Sequence, residues 1–361
     1  MAELARIGEL IDEAVADGGI PGAVAAVGRG SATLATWVAG LADTTPGSER
    51  PMTAGTVFDL ASLTKPVATG TATLALAGAG LLDLDAPVAG YLPRFTASGE
   101  VTIRHLLTHT SGLPASRKFY EWCPDRAALL DDLYATPLEA PPGTRVAYSD
   151  LGFMVLGAVV AAVSGSPLDE TVARLVTGPL GMTSTGYRPG GPPERFAATE
   201  RRADAAPWTG VVHDENARLM GGVAGHAGLF STVADLAVFA SWWVGDSDGP
   251  VPVWLRREAQ TCQTAGLDGC RGLGWVCQGD RYDLLGGHWP PGSVSHSGFT
   301  GTSLALDSAT GRWLVLLTNA VHFGRDATAI KALRLRVHAA AEELRFPDAA
   351  PRTAAEDDHG Q

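Results

Sequence analysis

Leu4, Ile7, Leu10, Ile11, Ala14 and Val15 recur at three- and four-residue intervals, interrupted by Glu3, Glu9, Asp12 and Glu13. That period gathers the apolar side chains on one face and predicts an amphipathic helix at the start of the chain. Residues 22–27 and 34–39 are short β-rich runs on either side of Gly28-Arg29-Gly30, the pattern of a hairpin. A long Ala/Leu/Thr stretch then runs to Gly78 and reads as a buried helix. Pro66 limits where that helix begins, because proline lacks the N–H that an interior helical position donates. The helix therefore starts no earlier than about Leu63, with Ser62 at its N-cap or first position.

From about residue 80 to 280 the pattern is of helices and long loops. Helices are expected at 104–107, at 151–163 with a stop at Ser164-Gly165, and at 231–243 with Ser231 or Thr232 as cap. The glycine-rich stretch 222–228 must be loop. The pattern then returns to strands at 293–296, 303–307 and 313–318, with Ala309-Thr310-Gly311 as a hairpin turn. A helix over 327–344 closes the fold. The expected class is α/β (α+β): an antiparallel sheet drawn from both termini, flanked by helices, with a mostly helical insertion. The boundaries are 1–59 plus 285–346 for the sheet domain and 60–284 for the helical domain, with a disordered Pro/Ala/acid-rich tail at 347–361.

Composition narrows the function classes. The chain has 361 residues, 45% hydrophobic and 18% charged, enough apolar material for a large core. The net charge of −12 argues against nucleic acid and anionic membranes as partners. The N-terminus lacks the basic start and continuous apolar run of a secretory leader, and 151–163 is too short to span a bilayer, so a cytoplasmic location is expected. Cys123, Cys262, Cys270 and Cys277 form no C-x-x-C pair, which disfavours zinc; they are expected to be inert thiols, and no cofactor or metal is expected.

Three of the 27 basic residues are lysines: Lys65, Lys118 and Lys331. Where a plain positive charge suffices, this chain uses arginine. Lys65 follows Ser62 by three positions, which places both on one helix face. A serine hydroxyl needs an adjacent base, and lysine serves only if burial or a nearby cation lowers its pKa. The plainer reading is a serine cap beside a solvated lysine. Tyr148-Ser149-Asp150 is a second element: Tyr148 can share a proton with Lys65, and Asp150 either pairs with Lys65 or caps the helix that follows. His296-Ser297-Gly298 is a third, on an expected strand, where the glycine lets a ligand approach the backbone. The N–H groups of Ser62 and Phe299 then form an oxyanion hole. His105 and His109 read as structural. His226 borders the pocket, and Asp214, Glu215 and Asn216 are either a further wall or a solvated loop.

Ser62-Leu63-Thr64-Lys65, Tyr148-Ser149-Asp150 and His296-Ser297-Gly298 resemble, in order, the S-x-x-K, Y-x-N and K-T-G motifs of the serine β-lactamase and penicillin-binding-protein superfamily. The branch is similar to class C β-lactamases and their esterase relatives. Residues 104–114 (RHLLTHTSGLP) and 225–231 (GHAGLFS) also resemble it, so the likeness spans about residues 5 to 340. It implies an antiparallel sheet plus a helical domain with the site between them. Two departures count. Asp150 stands where the family has Asn, and an ionised Asp accepts hydrogen bonds only. His296 stands where the family's Lys helps hold a substrate carboxylate. The expected function is a serine hydrolase or acyltransferase acting on a small-molecule ester or amide through acyl-Ser62, with water, an amine or an alcohol as acceptor. The alternatives are a β-lactamase, a D,D-peptidase or D-aminopeptidase, and a non-catalytic binding protein.

Overall fold

The computed structural model describes residues 2–202 and 205–342; the expected tail at 347–361 lies outside them. Strands β1 (Gly22–Arg29), β2 (Ala32–Asp43), β3 (Arg50–Pro51), β7 (Val276–Cys277), β8 (Val294–Ser297), β9 (Ser303–Asp307) and β10 (Arg312–Thr318) form one antiparallel sheet. Its order is β3-β2-β1-β10-β9-β8-β7, so the strands from the two ends of the chain meet at its centre. The register pairs Ala25 with Leu316 and His296 with Leu304. A small second sheet joins β4 (Phe58–Asp59), β6 (Leu229–Ser231) and β5 (Gly186–Tyr187).

Alternation along the central strands builds two apolar layers. Ala23, Ala25, Val27, Leu314 and Leu316 face Ile7, Leu10 and Ile11 of helix α1 (Ala2–Ala16) and Ile330, Leu333 and Val337 of the closing helix α2 (Thr328–Glu342). Val24, Ala26, Trp313, Val315 and Leu317 belong to the larger core on the opposite face, continuous with the helical half. The helix at Val233–Val244 packs on β1 and β10 from that side, capped by Thr232, whose hydroxyl accepts from the Asp235 N–H. That helix and β7 both fall inside the stretch 60–284, yet the helix packs on the sheet and β7 is an edge strand of it.

Two local expectations are corrected. Ser62 is not a helix cap: it sits in a 3-10 turn, Ala61–Leu63, followed by a π-helical stretch Lys65–Gly70 and an α-helix Thr71–Gly78. Pro66 occupies the second position of the π stretch. Cys262 and Cys270, expected as inert thiols, are joined in a disulfide; Cys123 and Cys277 are buried free thiols. Among the described residues no single helix is long and apolar enough to cross a membrane, and no cluster of His, Cys, Asp and Glu is arranged to hold a metal ion.

Candidate active site

The turn that presents Ser62 is stitched in place from three directions. At the end of β4, the Asp59 carboxylate accepts from the N–H groups of Ala61 at 2.9 Å and His213 at 2.7 Å. That bond holds Ala61 at φ +46°, a left-handed conformation costly for a side-chain-bearing residue. Burial pushes the Asp59 carboxyl up despite the two N–H donors. Leu60 N–H donates to the Leu229 carbonyl, joining the turn to β6. Thr300 and Thr302 hydroxyls donate to the Asp59 and Leu60 carbonyls at 2.7 and 3.0 Å, joining it to the turn after β8. Gly298 belongs there for lack of space: a Cβ would meet the Leu60 oxygen at 2.3 Å. The buried Arg334 of α2 donates to the Gly298 and Thr302 carbonyls, fixing the same turn from behind.

Lys65 is wholly buried and its ammonium has three acceptors. It donates to Ser62 Oγ at 3.0 Å and to the His226 carbonyl at 3.3 Å, and Asp150 Oδ1 lies 2.7 Å away. Two of these contacts are hydrogen bonds, and the Asp150 carboxylate supplies the counter-charge. Burial acts to lower the Lys65 pKa, as a lysine base requires, but the Asp150 carboxylate and Tyr148 outweigh it and the net shift is upward. The sequence expectation covered the burial and offered Asp150 as a partner of Lys65, but not that this partner would outweigh the burial.

Tyr148 and Asp150 arrive together. Ala147 N–H donates to the His109 carbonyl and Ser149 N–H to His109 Nδ1 at 3.0 Å. The His109 ring packs 4.5 Å from the Tyr148 ring, and its burial holds it neutral, far below the usual imidazole range. His105 supports the preceding helix in a capping box with Thr102. Ser149, not Asp150, caps the helix Asp150–Ser164: its hydroxyl accepts from Gly152 N–H at 3.1 Å. Asp150 is thereby free to serve Lys65, and Lys65 Nζ stands 4.8 Å from the Tyr148 ring centre.

The remaining candidates separate. The His226 backbone, rather than its ring, reaches Lys65; the ring pairs with Asp214 Oδ1 at 2.9 Å, and His226 with Lys65 keeps the Asp214 carboxyl well below its ordinary range despite burial. Asp214 also caps the short helix Glu215–Leu219, and Asn216 ties that helix to the Arg117 carbonyl and Tyr120 N–H. His296 is buried 6.1 Å from Tyr148, ring centre to ring centre, and kept neutral by burial, with Lys65 and Arg271 adding to the effect. Ser297, the last residue of β8, pairs with Ser303. Phe299 is half exposed and stacks on the His213 ring at 5.7 Å. Sequence reasoning missed Arg271, buried 5.7 Å from the Tyr148 ring centre and bonded to Asp280 at 3.0 Å. Nothing in the spacing of those two residues marked them.

A serine and a buried lysine in hydrogen-bond contact, with a tyrosine beside the lysine and a strand end pinned to the serine turn, form a constellation for acyl transfer. The sequence matches the β-lactamase family over residues 7–339. The chain belongs to that family. It is a β-lactamase-like serine hydrolase, an enzyme by family membership. It is 35% identical over 312 residues to a putative D-alanyl-D-alanine carboxypeptidase of Escherichia coli K12, covering 76% of this chain and 72% of that one. It is 32% identical to an N-acetylmuramyl-L-alanine amidase of Bacillus subtilis over 89% of this chain and 81% of the amidase. In fold it is similar to EstCE1, described as a hydrolase with promiscuous acyltransferase activity: TM-score 0.76, 23% identity, covering 94% of this chain and 98% of that one. That last likeness bears on the fold alone.

Proposed function

We propose that the protein is an ester or amide hydrolase working through a covalent acyl-Ser62 intermediate, with an amine or alcohol able to replace water as acceptor. The observation that carries this is the 3.0 Å contact between Ser62 Oγ and a Lys65 that is wholly buried. Ser62 Oγ attacks the carbonyl carbon of the donor. The N–H groups of Ser62 and Phe299 receive the developing oxyanion, each worth a few kcal/mol by mutational precedent, about 3–4. Lys65, paired with the Asp150 carboxylate, remains an ammonium that orients Oγ. Tyr148 enters the step as a phenolate beside the Lys65 and Arg271 cations, takes the Ser62 proton and becomes the neutral phenol. Tyr148 then returns that proton to the leaving group. The acceptor enters, and the same steps run in reverse.

The names of the carboxypeptidase and amidase relatives favour an amide donor. A peptidase requiring a free terminal carboxylate fits less well, because His296 is neutral and Arg271 is already bonded to Asp280. The test is intact mass and product release after incubation with a p-nitrophenyl ester, an aminoacyl anilide and a penicillin. A mass adduct that disappears in Ser62→Ala supports acyl-Ser62. No adduct and no turnover with any activated donor would leave a binding protein, and rapid penicillin hydrolysis would restore the β-lactamase reading.

A further inference from the structure

The two departures from the family motifs share a consequence. Asp150 Oδ1 lies 2.7 Å from Lys65 Nζ, yet the Asp150 side chain remains 28% exposed while Lys65 is wholly buried. One end of the carboxylate is therefore committed to the lysine, which also contacts Ser62 Oγ at 3.0 Å, and the rest stays partly open to solvent. Ionised, it only accepts.

His296 repeats the pattern. Its Nδ1 lies 3.0 Å from the Ser297 carbonyl, which can only accept, so Nδ1 carries the proton. In the neutral ring Nε2 is then a lone-pair acceptor. That atom is buried and has no partner in the protein, and a buried acceptor without a donor calls for one from outside. Meanwhile the nearby cations are matched: Lys65 by Asp150, and Arg271 by Asp280. Asp214, partnered by His226, adds a further carboxylate that feels the Lys65 charge. Where the family motifs supply a donor and a cation, this site supplies acceptors and negative charge.

We propose that Asp150 determines specificity by holding a protonated amino group next to the scissile carbonyl, so that the preferred acyl donors are aminoacyl esters or amides with a free amine. This rests on the acyl-Ser62 reading and specifies its donor.

The test uses the full chain at pH 7 with alanine p-nitroanilide of each hand, the N-acetylated counterparts, and p-nitrophenyl propionate as a donor without an amine. Preference is the ratio of kcat/KM for free-amine and N-acetyl anilides, or of their inhibition constants against propionate ester turnover where an anilide is not cleaved. At least one hand is expected to prefer the free amine by about tenfold or more, as for a hydrogen bond to a charged group. Asp150→Asn slows every donor because it also strips Lys65 of its counter-ion; the diagnostic is the ratio, which should fall towards one. An N-acetyl donor accepted as well as the free amine in the wild type overturns the proposal, as does a ratio unchanged in Asp150→Asn. If propionate acylates Ser62 while the preference is absent, acyl transfer stands and the amine specificity fails. If propionate does not acylate Ser62 at all, the acyl-enzyme reading falls and takes this one with it.

Discussion

Replacing Asp150 with Ala leaves the Lys65 ammonium inside the protein without its counter-ion. Removing one member of a buried ion pair costs about 3–5 kcal/mol. Asp150 keeps 28% exposure, so water reaches part of the pair and the lower end, about 3 kcal/mol, is expected. Unfolding entropy of about 2.1 cal/mol/K per residue over 361 residues gives about 0.76 kcal/mol/K, so Tm should fall by about 4 °C. The mechanism is isolated by a double-mutant cycle with Lys65→Met, which removes the charge and keeps the volume. In that background Asp150→Ala should cost under about 1 kcal/mol, leaving a coupling of about 2 kcal/mol. The pH dependence has a definite sign. The Lys65 pKa is raised above 10.5 in the folded protein, so its contribution is fully present below that value and is lost as pH rises through the folded pKa. The gap between wild type and Asp150→Ala therefore narrows with rising pH. Urea unfolding of the four proteins at pH 7, with the two parents repeated at alkaline pH, supplies the numbers. Equal cost of Asp150→Ala in both backgrounds would refute the buried pair as the source.

Gly225→Ala would place its Cβ 1.9 Å from the Phe153 carbonyl oxygen; a loss of about 2–3 kcal/mol is expected from overpacking, with slower Ser62 acylation because the His226 carbonyl shifts off Lys65. Urea midpoints and acylation rates check both. Asp59→Ala frees the Ala61 and His213 N–H groups and releases the constraint on Ala61, so acylation should fall more than tenfold, while a rate within twofold of wild type would show that the turn holds itself. His109 and His296 are buried and kept neutral, well below 6.5. The unfolded chain binds protons there that the folded chain does not, so stability falls as pH drops below 6.5, by up to about 1.4 kcal/mol per pH unit for each. Urea midpoints between pH 7 and 5 should show that slope, and a flat profile would show that both rings are protonated without cost.

The parts of this structure legible in the sequence are those governed by local period and local chemistry. Short apolar runs around the Ala309-Thr310-Gly311 turn gave strands near 303–307 and 313–318, and the residues that close the helix at Asp150–Ser164 included Gly165 at φ +67°, a conformation glycine adopts freely. Pro66 located the helix that carries Lys65 to within a turn, but not the form of the turn before it, which is held by Asp59 on Ala61 and by Thr302 on Leu60, 242 residues away. Arg271 and Asp280 were invisible for the same reason: each is an ordinary surface type, and only long-range packing buries them together against Tyr148. The motif 104–114 was recognisable as text, while its physical role emerged from geometry: His109, at φ +58°, receives the Ser149 N–H and so aims the Tyr148 segment.

Lys65 shows why residue type and burial together were still insufficient. A lone buried ammonium would shed its proton, and the scarcity of lysine in the chain pointed to such a base. The same burial, however, lowers the local dielectric and so strengthens the attraction of the Asp150 carboxylate 2.7 Å away. The sign of the shift then turns on Asp150, whose side chain is available only because Ser149 already caps the helix. With an asparagine there, no full negative charge would oppose the desolvation, and a neutral amine would be nearer to hand. In the proposed mechanism the Asp at position 150 thus has two linked effects: it fixes the lysine as a cation, which transfers the proton work to Tyr148, and it turns a hydrogen-bond-donating wall into an accepting one. A variant carrying Asp150→Asn should consequently change both donor preference and the pH profile of acylation, whereas a change at a residue that only supports the fold would scale all donors and all pH values alike.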